Sequence, residues 1–117
     1  MMSCIGDNTE VKVPKYKSNK ENIINKFQEA EDVELNWSFK SGFINGEFIS
    51  DQNLTLNLEY PKKLKVDEKF LEEKINFSKR ISDEEILNKK SFDYFIVNIY
   101  LGDSLIKEHK EKSNSEL

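Results

Sequence analysis

The run 92–102, Phe-Asp-Tyr-Phe-Ile-Val-Asn-Ile-Tyr-Leu-Gly, is the one stretch with strong β preference and apolar residues on both faces of a pleat. Phe95, Val97, Ile99 and Leu101 fall on one side, and Tyr94, Ile96, Asn98 and Tyr100 on the other. The pattern predicts an interior strand whose first face lies in the core. Two more runs alternate apolar with polar residues, one carrying Val33, Leu35, Trp37 and Phe39, the other Leu54, Leu56, Leu58 and Tyr60. Between them stand two turn signals, Ser41-Gly42 and Asn45-Gly46. Asn-Gly suits a two-residue type I′ turn, because both positions need positive φ. A turn there sets Trp37 opposite Leu54, Leu35 opposite Leu56 and Val33 opposite Leu58, so apolar residues meet at every pair. A turn at Ser41-Gly42 leaves a short middle strand that matches the second run only through a bulge. The long hairpin is the preferred reading.

Helical spacing occupies the rest. Ser18 followed by Glu21 makes a capping box, and Ile23, Ile24, Phe27 and Ala30 follow as one narrow stripe. Pro61 stops the second strand, and Asp67 can cap a helix carrying Phe70, Leu71, Ile75, Phe77 and Ile81. Lys74 falls near the middle of that apolar arc, so the helix either lets Lys74 snorkel or is short and irregular. Ser82 with Glu85 repeats the capping box and predicts a further short helix through Ile86 and Leu87. After the organising strand, Gly102-Asp103 turns the chain. The run 104–110 then returns as a charged edge strand, with Ile106 beside Ile99. The fold class expected is α+β: a small antiparallel sheet with helices packed on one face, in the order α-β-β-α(α)-β-β. The chain divides into a flexible N-terminal tether over 1–17, a single domain over 18–110 and a polar tail over 111–117.

Charge and composition narrow the possible partners. Charged residues make up 34% of the 117 residues and the net charge is −4, so phosphate backbones are not attracted and nucleic acid is excluded as a general partner. Arg80 is the only arginine, His109 the only histidine and Cys4 the only cysteine. No intrachain disulfide can form, and no cysteine–histidine set has the spacing of a metal site. No cofactor motif is present. The carboxylate pairs Asp67-Glu68, Glu72-Glu73 and Glu84-Glu85 sit on helices, where adjacent residues point about 100° apart, so they form no catalytic dyad. Catalytic chemistry has no candidate residues, and an enzyme acting through carboxylates alone is the least favoured reading.

Ser3-Cys4, followed by the polar, proline-containing run to Lys17, resembles the processed end of a bacterial lipoprotein signal. In that family a small residue precedes the cysteine that becomes lipidated, and a polar linker follows. The resemblance implies lipid attachment at Cys4, a bacterial envelope location and membrane contact through that anchor alone. The second face of the organising strand, with Tyr94, Asn98 and Tyr100, is the one candidate binding surface, for a partner protein or a glycan. A helix or the tether covers it, or it stands open and binds. Two functions follow: a non-enzymatic envelope domain that binds through a sheet face, or a small acidic cytoplasmic interaction or inhibitor protein.

Overall fold

Asn45 and Gly46 both take positive φ, 53° and 84°, and the chain reverses there. This joins β1 (Asp32–Ile44) to β2 (Glu47–Tyr60) in an unbroken antiparallel register that pairs Trp37 with Leu54, Leu35 with Leu56 and Val33 with Leu58. The long hairpin is therefore the one that forms. The computed structural model describes residues 13–113. In chain order the elements are α1 (Lys20–Asn25), β1, β2, α2 (Glu68–Glu85), a 3-10 turn (Lys89–Ser91), β3 (Tyr94–Leu101) and β4 (Ser104–Lys112). The four strands form one sheet in the order β1-β2-β3-β4.

The sheet is mixed rather than antiparallel, which corrects the sequence expectation. β2 and β3 run parallel, with Leu54 beside Phe95, Leu56 beside Val97 and Leu58 beside Ile99. The reason lies in the length of the crossover. α2 has 18 residues and spans about 27 Å, close to the length of the 8-residue β3 at roughly 3.3 Å per residue. It carries the chain from the end of β2 back to where β3 must start, so the second strand enters in the direction of the first. Asp67 caps α2 as expected, its carboxylate accepting from the Phe70 N–H at 2.9 Å.

Ser82 does not begin a second helix. It is buried in the last turn of α2, and its hydroxyl donates back to the Lys79 carbonyl at 2.9 Å. Asn19, not Ser18, caps α1, accepting from the Asn22 N–H at 2.8 Å. α1 stops at Asn25, and Phe27 reaches the core from the loop beyond it. The β3–β4 register shifts between Ile99 and Tyr100 of β3, so Lys107 rather than Ile106 lies beside Ile99.

Both helices pack on one face. Leu54, Leu58, Phe95, Val97 and Ile99 are completely buried there, against Ile23 and Phe27 on one side and Leu71, Ile75 and Ile81 on the other. Ser78, also fully buried, brings the α2 backbone close to the sheet and donates its hydroxyl proton to the Lys74 carbonyl. Lys74 snorkels, with its ammonium 2.7 Å from Glu29 and 5.2 Å from the centroid of the Phe70 ring.

Residues 13–17, read from the sequence as the end of a tether, lie along the end of α2. Tyr16 bridges Ile86 and packs against the core, and the Lys17 N–H donates to the Glu85 carbonyl at 2.7 Å. At the other terminus Ser113 is buried, its hydroxyl donating to the Lys89 carbonyl at 2.6 Å. Cys4 and the rest of 1–12, with 114–117, lie outside the described residues.

Candidate functional site

Strict alternation along β3 gives two unlike faces. With Phe95, Val97 and Ile99 committed to the core, Tyr94, Ile96, Asn98 and Tyr100 point to the face on which no helix packs, and each is half-buried. The three residues singled out from the sequence therefore share one face, which no helix among the described residues covers, with Asn98 between the two tyrosines.

The register extends this surface across all four strands. Beside Tyr94 lie Asn53 of β2 and Lys112 of β4, and beside Asn98 lie Asn57 and Glu108. The Asn98 side-chain amide donates to the Asn57 oxygen at 2.9 Å. The Lys110 ammonium sits 4.4 Å from the centroid of the Tyr94 ring, holding that phenol between charge and sheet. The side-chain oxygens of Asn53 and Asn98 are buried with no hydrogen-bond partner among the described residues.

The face is polarised. Lys110 and Lys112 stand at the Tyr94 end. At the Tyr100 end a shallow cleft of about 260 Å³ is lined by Asp32, Glu34, Asn57, Glu59, Tyr100, Gly102 and Asp103. Gly102 takes φ 63° to close the β3–β4 turn, and its N–H donates to the Tyr60 carbonyl at 2.9 Å. Asp103 follows in that turn and lines the same cleft as the carboxylates of β1 and β2. None of the four acids has an ion-pair partner among the described residues. Nor can any group of three or more His, Cys, Asp or Glu among the described residues hold a metal ion. The cleft offers negative potential rather than coordination.

Sequence reasoning missed this acidic cluster. Its signal was available in part, since Asp32, Glu34 and Glu59 hold the positions opposite in parity to the buried residues of their strands. Their approach to Tyr100 depends on the parallel β2–β3 register, which alternation alone does not reveal.

His109 lies on the helix side of β4. Its Nε2 is 3.0 Å from Glu111, which also meets Lys79 of α2 at 3.3 Å. Burial pushes the Glu111 carboxyl up, but hydrogen bonds from His109 and Lys79 and the charges of Lys79 and Lys89 outweigh it and hold the group below its ordinary value. This cluster ties β4 to α2. No helix among the described residues is long and apolar enough to cross a membrane. Comparison with protein-family models, with curated proteins and with solved structures gave no match.

Proposed function

We propose that the chain is a non-enzymatic binding module that takes a partner protein on the open face of its sheet, and that it belongs to a bacterial cell envelope, held there by a lipid on Cys4. One observation carries the binding reading: a sheet face free of helices, with half-buried tyrosines at both ends and an acidic cleft beside one of them. Tyrosine offers contact area at low entropy cost, and four carboxylates with no ion-pair partner among the described residues favour a partner presenting Lys or Arg. The envelope reading rests on Ser3-Cys4 and the polar run that follows.

The same acidic cluster supports a second reading, a small acidic cytoplasmic inhibitor that covers a basic surface. The two readings differ in address rather than in binding chemistry. Metabolic labelling with palmitate separates them. Label that disappears in Cys4→Ser places the protein in the envelope, and absence of label in the unmutated protein favours the cytoplasmic reading.

Binding itself is tested by amide chemical-shift mapping with a lysine decapeptide and, in parallel, with a neutral oligosaccharide. The expected result is salt-sensitive shifts around Tyr100 and Asn98 with the peptide, lost in Tyr94→Ser/Tyr100→Ser. Shifts on that face with the sugar alone would identify a glycan-binding module. Perturbations confined to other surfaces would overturn the assignment of the site.

A further inference from the structure

The hairpin β1–β2 runs on past the part of the sheet that the helices cover. Val33 and Leu35 are buried under them, but Trp37 is 39% exposed, Phe39 41%, Phe48 53% and Phe43 74%. All four share one face, because Phe43 pairs directly with Phe48 and the odd positions of β1 lie on the core side. The Phe43 and Phe48 rings meet edge to face, 5.4 Å between centroids. The arm contributes to an elongated body, 55 × 35 × 29 Å. Large aromatics gathered on one exposed face are an interaction surface by default, since single scattered ones need no explanation but a contiguous patch does.

The edge of the arm names the kind of partner. β1 is an edge strand along its whole length. Natural edges are blunted by charge, proline or bulges. The opposite edge, β4, has such protection: Lys107, Glu108, Lys110, Glu111 and Lys112 line it, and its register is broken between Ile99 and Tyr100. β1 is guarded only at its root, by Asp32 and Glu34. From 36 to 44 it reads Asn-Trp-Ser-Phe-Lys-Ser-Gly-Phe-Ile, with one charge, no proline and an unbroken register with β2. Among the described residues no strand pairs with its outer backbone groups.

We infer that this strand pairs with β1 of a second copy, antiparallel and about a two-fold axis at Ser41, to join two sheets into one of eight strands. The register follows from the side chains. An axis at Ser41 sets Phe39 opposite Phe43 of the second copy, and Phe43 opposite its Phe39. It also sets Lys40 opposite a glycine. An axis at Lys40 would oppose two lysines, which costs energy where like charges face each other across a pair. With the Ser41 axis, Phe48 and Phe43 of one copy and Phe39 of the other form one continuous aromatic row, and the symmetry repeats it. The patch exposes on the order of 400 Å² per copy, taking about 150–250 Å² for each aromatic side chain. A standard interface buries about 800 Å² per partner, and the paired edge supplies further area, so the dimer is reversible and concentration-dependent. The pairing leaves the Tyr94 face open and does not rest on the binding reading above.

The test is sedimentation velocity of the full chain from about 5 to 500 µM, with Phe39→Lys/Phe43→Lys as the variant. Both rings are exposed, so the variant keeps its circular dichroism and melting temperature. The expected result is a rise toward twice the monomer mass for the unmutated chain, with the dissociation constant weakened at least tenfold in the variant. A second variant, Ser41→Cys in a Cys4→Ser background, should form an intermolecular disulfide on mild oxidation, and Leu105→Cys on the protected edge should not. A chain that stays monomeric at 500 µM overturns the proposal. So does a dimer indifferent to both phenylalanine changes, or one cross-linked through position 105 and not 41.

Discussion

Asp93 and Gln52 exchange two hydrogen bonds across the root of the hairpin arm. The Asp93 N–H donates to the Gln52 carbonyl at 2.8 Å, and the Gln52 N–H donates to the Asp93 carboxylate at 2.7 Å. The Asp93 carbonyl accepts from the Ser113 N–H at 3.0 Å, so one residue fastens the start of β3, the middle of β2 and the end of β4. Gln52 is buried, and removing the carboxylate leaves its N–H without that acceptor. Asp93→Ala should therefore cost about 1.5–3 kcal/mol, the range for a hydrogen bond to a charged group. Asp93→Asn keeps an acceptor oxygen and should cost less. Urea denaturation of the two variants measures the difference, and equal losses would show that the charge, not the acceptor, matters.

Trp37 and Leu54 face each other across the hairpin but differ in burial. Leu54 is fully buried, whereas Trp37 is 39% exposed. Leu54→Ala should lose about 2–5 kcal/mol, the range for a buried leucine. Trp37→Ala should lose clearly less than Leu54→Ala when both are unfolded thermally. A tryptophan variant as damaging as the leucine one would mean that the helix layer reaches farther along the arm than the observed contacts.

That contrast marks what alternation can reveal. It assigned Val33, Leu35, Leu54, Leu56, Leu58, Phe95, Val97 and Ile99 to one face, all of them buried. It says which face a residue takes, not how far the covering helices extend, so Trp37 shares the face of Leu35 yet is exposed. Asn45-Gly46 announced the hairpin because only a few residue types accept two successive positive φ values. The parallel β2–β3 pair was hidden because periodicity carries no direction, and only the match in length between α2 and β3 decides it. Ser82 misled for a local reason: Ser-x-x-Glu marks a helix start, yet inside a helix the same hydroxyl can bond to the preceding turn. Tyr94, Asn98 and Tyr100 were legible as a surface from parity within one strand. The acidic cleft was not, because it is assembled from β1, β2 and the β3–β4 turn.

Tyr16 gives the N-terminal segment a boundary that can be measured. It is half-buried, bridges Ile86 and packs on the core, and burial pushes its phenol above the ordinary value. Removing 1–12 should leave the melting temperature within about 2 °C. Tyr16→Ala should lower it by several degrees, since about 1 kcal/mol corresponds to roughly 4–8 °C in a domain near this size. If removing 1–12 is the more damaging change, that segment contributes more to stability than the Tyr16 contacts do.

Glu111 predicts an acid-side effect. Its folded-state pKa lies below the ordinary value of 4.5, so what it contributes is present above that pH and is lost as pH falls through the folded value. Its partners Lys79 and His109 are partly exposed, which limits the contribution to about 1 kcal/mol or less. The stability difference between the unmutated protein and Glu111→Gln should be positive at pH 7 and shrink toward zero below the folded value. A difference that stays constant from pH 7 to pH 3 would sink this assignment.

Tyr60 predicts the opposite limb. It closes β2 with only 1% of its surface exposed, packs edge to face on Phe70 at 5.3 Å, and has its phenol pushed up to about 12 by burial first and by the nearby Glu29 charge second. The ordinary value is 10.0, so between these limits the unfolded chain releases a proton that the folded chain retains. A group whose folded pKa is raised contributes fully below the unfolded value, and that contribution fades as pH rises toward the folded one. A gap of about two pKa units corresponds to about 2–3 kcal/mol. The informative quantity is the difference from Tyr60→Phe, which keeps the ring contacts and removes the proton. Relative to that variant, the unmutated protein should lose about 2–3 kcal/mol in urea unfolding between pH 9.5 and 12. Two parallel pH profiles would mean that the Tyr60 hydroxyl reaches solvent, and that β2 ends in a looser contact with α2 than the Phe70 stacking indicates.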